Sequence, residues 1–511
     1  MKSCMKQLSL GFTLIMLLSL MMTGAASAAE VDTSKEVHIV GYLLGDAPAG
    51  MPEVMEQLNV MLKDEINATM EIRYIGWGDF QSKYPLVLAA GEDIDWIFTA
   101  NWAFYFQEAA KGAFYEVTDE LLQEYMPRHY AALPAHAYKE VMVDGKMYML
   151  PTSTPDRKVP VVLIRGDLRK KYGVPEITRF SDIEPYLAAI KENEPEMIPM
   201  NLDNSYDIGT PYSTLINEQG SNYTDVLFAT GSGTGLSWAL QESTGKLHYV
   251  TDEPYLSEAK QAAAIVKSWY DKGYINRNVF ANKVRSKDSF SQGVSGIGIG
   301  NSQDIQANLA DAAAKGWEVE IIPMLDAEGN YPADPHINNG VALAATTKNP
   351  ERTLMALDLI MEEKAFNYQV YFGVEGKNYV IKDGKIDLPE GVTADQNTYP
   401  PDAAGFWFTN KDQFLPLATW PDQYVQLRED VKGYILSHPM TTFAAQTEDI
   451  KTEIANLNQA IVQYSQPISV GMVDDIDEAF ATLDKNLKAA GVEKVREVLQ
   501  KQIDAHIAAM Q

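Results

Sequence analysis

From residue 37 to residue 98 the apolar positions change period several times. Val37 to Leu43 is a β-branched and apolar run closed by Gly45-Asp46 and Gly50, which predicts a strand followed by a break. From Pro52 to Glu65, Val54, Met55, Leu58, Met61 and Leu62 recur at the spacing of one helical face. Met70, Ile72 and Tyr74 alternate with Glu71 and Arg73, as in a strand with one face more buried than the other. Phe80 to Ala90 then reads as a helix and Ile94 to Phe98 as the next strand. The order β-α-β-α-β predicts parallel strands joined by right-handed crossovers.

Open α/β sheets bind ligands outside the carboxyl ends of their strands. Three loops occupy such ends: Gly45-Asp46, Trp77-Gly78-Asp79 and Thr99-Ala100-Asn101-Trp102. Two of them combine Trp with short polar side chains. That mixture suits a sugar, whose C–H face packs on an aromatic ring while its hydroxyls need hydrogen-bond partners. The competing use for each Trp is to fill a core.

Val141-Met142-Val143, Asp144-Gly145 and Lys146 to Leu150 carry a hairpin signature with Asp-Gly at a type I′ turn. Pro151, Pro155 and Pro160 follow, and a second series of elements begins at Val161 to Ile164, placing a lobe boundary near 151–160. Further on are a helix around Ser257 to Lys272 and a thin strand, Ile297 and Ile299 between glycines, ending at Asn301. Strands at Trp317 to Ile322 and Val341 to Ala344 and a helix from Pro350 to Glu363 come next. In the tail, Phe480, Leu483 and Leu487 form one apolar stripe, Gly491 interrupts it, and Val495, Val498, Leu499 and Ile503 continue it.

Composition narrows the class. The 511 residues are 46% hydrophobic and 22% charged, an ordinary globular balance. With 42 Lys and Arg against 70 Asp and Glu, the net charge of −28 repels nucleic-acid phosphates and anionic lipid and suits a neutral ligand. Residues 1–28 read as a secretory signal: Lys2 and Lys6, an apolar stretch from Leu8 to Met22, and Ala26-Ser27-Ala28 at the cleavage site. The single cysteine, Cys4, falls inside that segment, so disulfides and thiolate chemistry are not expected in the mature chain.

Motifs for chemistry are sparse. Gly231-Ser-Gly-Thr-Gly235 lacks the Lys of a phosphate loop, and Gly296-Ile-Gly-Ile-Gly300 lacks dinucleotide spacing and reads as a strand that another backbone or a ligand approaches closely. None of the seven histidines forms a zinc-ligand spacing. Glu92, Asp93 and Asp95 supply carboxylates that a glycosidase would need, and a solvated turn accounts for them equally well. Asp474, Asp475, Asp477 and Glu478 precede a helix and read as its cap. No cofactor and no metal are expected. Capture of a neutral sugar needs aromatic platforms and amides, not a tuned acid or base.

Taken in order, several segments resemble the extracellular sugar-binding proteins of ABC importers, the group that includes maltose-binding protein. They are Tyr84-Pro-Leu-Val-Leu-Ala-Ala-Gly-Glu-Asp-Ile-Asp-Trp-Ile-Phe98, Asp144-Gly-Lys-Met-Tyr-Met-Leu-Pro151, Arg165-Gly-Asp-Leu-Arg-Lys-Lys-Tyr-Gly173, Gly316-Trp-Glu-Val-Glu-Ile-Ile-Pro323 and Asn338 to Pro350. Tyr371 to Tyr379, Phe406-Trp-Phe-Thr-Asn410 and Gln500-Lys-Gln-Ile-Asp504 resemble a Gram-positive subgroup.

The resemblance implies an α/β, two-lobed fold of the type II periplasmic-binding-protein kind, each lobe a mixed sheet flanked by helices, with the ligand cleft between them. Lobe 1 is then expected at 29–152 plus 325–372 and lobe 2 at 160–322 plus 376–511, with crossings near 151–160, 323–325 and 373–376. It implies no catalysis. The partners implied are a carbohydrate, expected to be an oligosaccharide, and the permease subunits of an ABC importer, with the chain a monomer.

Carried over position by position, the resemblance points to Asp46, Thr99, Asn101, Trp102, Asn204, Tyr206, Asn301, Trp407 and Asn410, and the loop argument adds Trp77 and Asp79. Gram-positive members carry a lipid-anchoring cysteine after the signal; here the sequence reads Thr23-Gly-Ala-Ala-Ser-Ala28. The chain is therefore expected to be exported, extracellular or cell-surface associated, or periplasmic in a Gram-negative cell. Two other readings stay open: a secreted glycoside hydrolase or lyase using Asp46, Asp79 or the Glu92 to Asp95 acids, and a peptide binder on the same fold.

Overall fold

The computed structural model describes residues 33–510 apart from 78, 92, 205, 227–232 and 444. Residues 1–28, where a secretory signal is expected, together with Gly78, Glu92 and Gly231-Ser232, lie outside the described residues. The strand Val37–Leu44 runs parallel to Ala68–Ile75 in the register Val37 opposite Ala68 through Leu44 opposite Ile75, and parallel to Trp96–Thr99 on its other side. Ile39 to Leu44 is buried without interruption, because helices and neighbouring strands cover both faces of a central parallel strand. Gly340–Leu343 pairs antiparallel with Trp96–Thr99 and then with Leu150–Pro151, closing a sheet of five strands. The helix Met51–Ile66 starts with Pro52 in its first turn and buries Val54, Leu58, Leu62 and Ile66 at a spacing of four. Asn67 ends it in the left-handed region.

A second sheet has Pro160–Arg165 at its centre, antiparallel to Ile297–Asn301 and to Val319–Pro323. The expected close approach at the glycine-rich strand is made by backbone. A Cβ on Gly298 would lie 3.0 Å from Lys287 Cα and Phe290 Cβ, on the helix Ser286–Ser291. The sheet of Tyr223–Asp225, Leu236–Ala239 and His248–Tyr249 has no counterpart in the sequence reading. The Asp144-Gly145 turn has positive φ at both residues, as type I′ requires. Asp475 caps the helix Ile476–Ala490, its carboxylate accepting the Glu478 N–H at 2.8 Å, and Gly491 at φ 98 separates that helix from Val492–Met510.

Two large cores result. One draws on residues from Ile39 to Leu150 and from Ile337 to Phe408. The other draws on Val162 to Met324 and Met440 to Ile507. The chain thus passes between them after Leu150, after Met324 and after Phe408. The third passage corrects the boundary expected at 373–376. Tyr399, Phe406 and Phe408 are needed by the first core, where Phe408 meets Trp96 edge-on at 5.8 Å. The second passage is also longer than expected, because Ile337 is the first residue to rejoin that core.

Candidate functional site

Three tryptophans from distant parts of the sequence meet beside the carboxyl ends of the first sheet. Trp77 follows Ala68–Ile75, Trp102 follows Trp96–Thr99, and Trp407 lies between the buried Phe406 and Phe408. Trp77 stacks on Trp407 with centroids 5.8 Å apart and planes at 18°, and on Trp102 at 6.3 Å and 29°. Gly45, at φ 102, passes close beneath Trp77; a Cβ there would be 3.3 Å from the indole nitrogen. The Trp102 indole donates to the Asn338 carbonyl at 2.8 Å, and its backbone N–H donates to Asn101 Oδ1 at 2.9 Å. Trp77 and Trp102 nevertheless remain 52% and 42% exposed, so they form a wall rather than part of the core.

The wall bounds a cavity of about 1090 Å³ that touches both cores. Asn301 and Gln303 reach it from the second sheet, and Trp238 and Phe443 from the far side. Its floor carries the segment Asp156-Arg157-Lys158, three consecutive charges that each pair with a different residue. Asp156 accepts from Lys411 at 2.6 Å, Arg157 forks onto Asp412, and Lys158 lies 3.2 Å from Asp334.

Burial raises the Asp334 carboxyl to about 6 against the pull of the Lys158 ammonium. Burial likewise raises Asp156, but the Lys411 ammonium wins and holds it below the usual value. Next in sequence to the lining residue Asn338, Ile337 donates its N–H to Glu140, which burial lifts to about 7, and burial lowers His336 to about 4, its ring bonded to the Thr152 carbonyl. These two hold the turn His336–Asn338 on which Trp102 rests.

Of the residues singled out in the sequence, Trp77, Asn101, Trp102, Asn301 and Trp407 line this one cavity. Six others do not. Thr99 is fully buried and its hydroxyl donates to the Ala103 carbonyl at 3.0 Å, so it shapes the Trp102 loop from the core side. Asn410 donates to Glu362 at 2.8 Å and accepts from the Asp412 N–H, which turns it into a cap. Asp79 pairs with Lys83 at 2.7 Å on the surface, and Asp46 is exposed beside Gly76. Asn204 donates to the Phe280 carbonyl, and Tyr206 packs under Arg285 at 4.9 Å while 71% exposed.

Asp95, one of the carboxylates of the hydrolase reading, serves the fold. Asp95 is buried and accepts the Val40 N–H at 2.9 Å and the Thr347 hydroxyl at 2.5 Å. Among the described residues no cluster of His, Cys, Asp and Glu has the arrangement of a metal site. The floor charges escaped the sequence reading; the only local sign of them is a charged triplet between Pro155 and Pro160.

Comparison with known proteins agrees with this architecture. The family described as "Bacterial extracellular solute-binding protein" matches residues 57–369, and a domain of unknown function (DUF3502) matches residues 439–508. A carbohydrate ABC transporter substrate-binding protein of Streptococcus pneumoniae is 25% identical over 496 residues, 94% of this chain and 93% of the relative. The polygalacturonan/rhamnogalacturonan-binding protein YtcQ of Bacillus subtilis is 26% identical over 61% of each chain. The crystal structure of the N-glycan transport solute-binding protein NgtS from Streptococcus pneumoniae superposes with a TM-score of 0.74 at 23% identity, covering 93% of this chain and 99% of that one. That likeness establishes the two-lobed type II fold.

Proposed function

Because the chain belongs to the bacterial extracellular solute-binding proteins, we propose that it captures an oligosaccharide in the cavity between its cores and delivers it to the permease of an ABC importer. The observation that carries this reading is the stacked wall of Trp77, Trp102 and Trp407, left half-exposed beside the amides of Asn101 and Asn301. Aromatic faces take the C–H surfaces of sugar rings, and the amides take hydroxyls. A cavity of about 1090 Å³ has room for several linked sugars. The relatives support the ligand class: one is a carbohydrate ABC transporter substrate-binding protein and another is named for binding polygalacturonan and rhamnogalacturonan.

The two cores act as lobes joined by three passages, and ligand favours the closed arrangement that a permease recognises. The chain is exported, as its family is extracellular, and no helix among the described residues is long and apolar enough to cross a membrane. It works as a monomer and without catalysis.

Thermal denaturation and calorimetry against a panel of mono- and oligosaccharides test the proposal. A bound sugar must raise the melting temperature, since it binds only the native state. No shift with any sugar at millimolar concentration rejects the ligand class, and new reducing ends after incubation reject a binder in favour of a hydrolase.

A further inference from the structure

The bases on the cavity lining are not equivalent. Lys158, Lys411 and Arg157 are held by Asp334, Asp156 and Asp412, and Lys432 pairs with Glu429 at 2.7 Å. Arg428 lines the same cavity, half-buried, and among the described residues it makes no ion pair and no hydrogen bond. The nearby acids are committed elsewhere: both oxygens of Asp412 face the Arg157 fork, and Asp156 serves Lys411.

Arg428 also stands in a pattern. Trp420, Tyr424, Arg428 and Lys432 follow at intervals of four, the last three on the helix Asp422–Tyr434, and all four line the cavity. Trp420 and Tyr424 pack edge-on at 5.0 Å. One face of the helix therefore offers an aromatic end for a sugar ring and a cationic end one turn further on.

We propose that Arg428 is the recognition point for a sugar carboxylate, so that the oligosaccharide taken by this cavity is acidic, with uronic acid units; this rests on the sugar-binding reading above. A guanidinium is a planar fork that matches a carboxylate with two parallel N–H···O bonds, and it is strongest where solvent is partly excluded. The charge of Arg428 is felt by Asp156 and Asp412, but none of its N–H groups donates to a carboxylate or carbonyl among the described residues, so the fork is open to an incoming acceptor. The choice departs from the neutral ligand that the net charge of −28 suggests. Repulsion from the whole surface is screened over about 8 Å at physiological salt, whereas the contact at Arg428 is local.

The test is calorimetry on the full mature chain with oligouronates of the galacturonate, glucuronate and alginate types, their methyl esters, and neutral oligosaccharides. One oligouronate is expected to bind about tenfold or more tighter than its ester, and Arg428→Gln to erase that difference while the far-UV spectrum stays unchanged. If the Gln variant is unstable, Arg428→Lys carries the test, since it keeps the charge, loses the fork and should bind the acid several-fold more weakly. Binding of neutral sugars alone, or an oligouronate affinity indifferent to both substitutions, overturns the inference and leaves the sugar-binding reading intact. Binding of no sugar at all rejects that reading, and the inference falls with it.

Discussion

The ammonium of Lys158 lies 3.2 Å from the carboxylate of Asp334, and the contact ties the first passage between the two cores to the second. Its neighbours Asp156 and Arg157 tie the same segment to the third passage through Lys411 and Asp412. All three connections between the cores are thus fastened at one tripeptide on the lining of the cavity.

Lys158→Met should weaken the fold by an amount that depends on pH. The Asp334 carboxyl titrates at about 6 in the folded chain, above its ordinary value of 3.8. With a raised folded value, the protonated group's contribution is complete below pH 3.8 and is lost as pH rises through 6. Removing the ammonium leaves the ionised form without its partner and steepens that loss. The variant should therefore be close to the parent at pH 5 and about 1–2 kcal/mol less stable at pH 8, the pair being partly exposed. Urea denaturation at both pH values measures this, and an equal deficit at both would show that Lys158 does not act through the ionisation of Asp334.

Trp102→Ala should reduce affinity for the sugar at least tenfold, about 1.4 kcal/mol, while the melting temperature of the empty protein changes little. The side chain is 42% exposed and its indole hydrogen bond goes to a backbone carbonyl at the rim. Trp77→Ala should behave alike, since it stacks on both other rings. Calorimetry with unchanged affinity for either variant would remove that ring from the site.

Gly298→Val should destabilise by about 1–3 kcal/mol, the usual cost of forcing atoms into a packed site. The added carbons would press on Lys287 and Phe290 of a neighbouring helix. A melting temperature equal to the parent's would mean that the helix Ser286–Ser291 can retreat without loss.

Asp95→Ala separates structure from catalysis. Its carboxylate satisfies the buried Val40 N–H and the Thr347 hydroxyl, so removal should cost about 1–3 kcal/mol and leave sugar affinity unaltered. Lost binding at full stability would instead return Asp95 to the ligand.

Much of the scaffold was legible in the chain because the signals are local. The change from a continuous apolar run at Val37 to a four-residue spacing after Pro52, and the break at Gly491 between two apolar stripes, depend only on neighbours in sequence. Trp77 and Trp102 could be placed at the cavity for a related reason: each follows a strand whose direction the β-α-β order dictates.

Side-chain direction within those loops is a tertiary matter. Thr99 and Trp102 are three residues apart, yet one faces the core and the other the cavity, and Asn410 is claimed by Glu362. The third passage was misplaced because no local pattern says that Phe406 and Phe408 complete a core begun at Ile39. The sequence by itself determined the elements, their parallel order and the aromatic loops. Only the tertiary structure decided which charges neutralise one another and which one is left over. Asp156 and Lys411 stand 255 residues apart, and pairing at that separation follows from how two cores pack, not from any spacing along the chain.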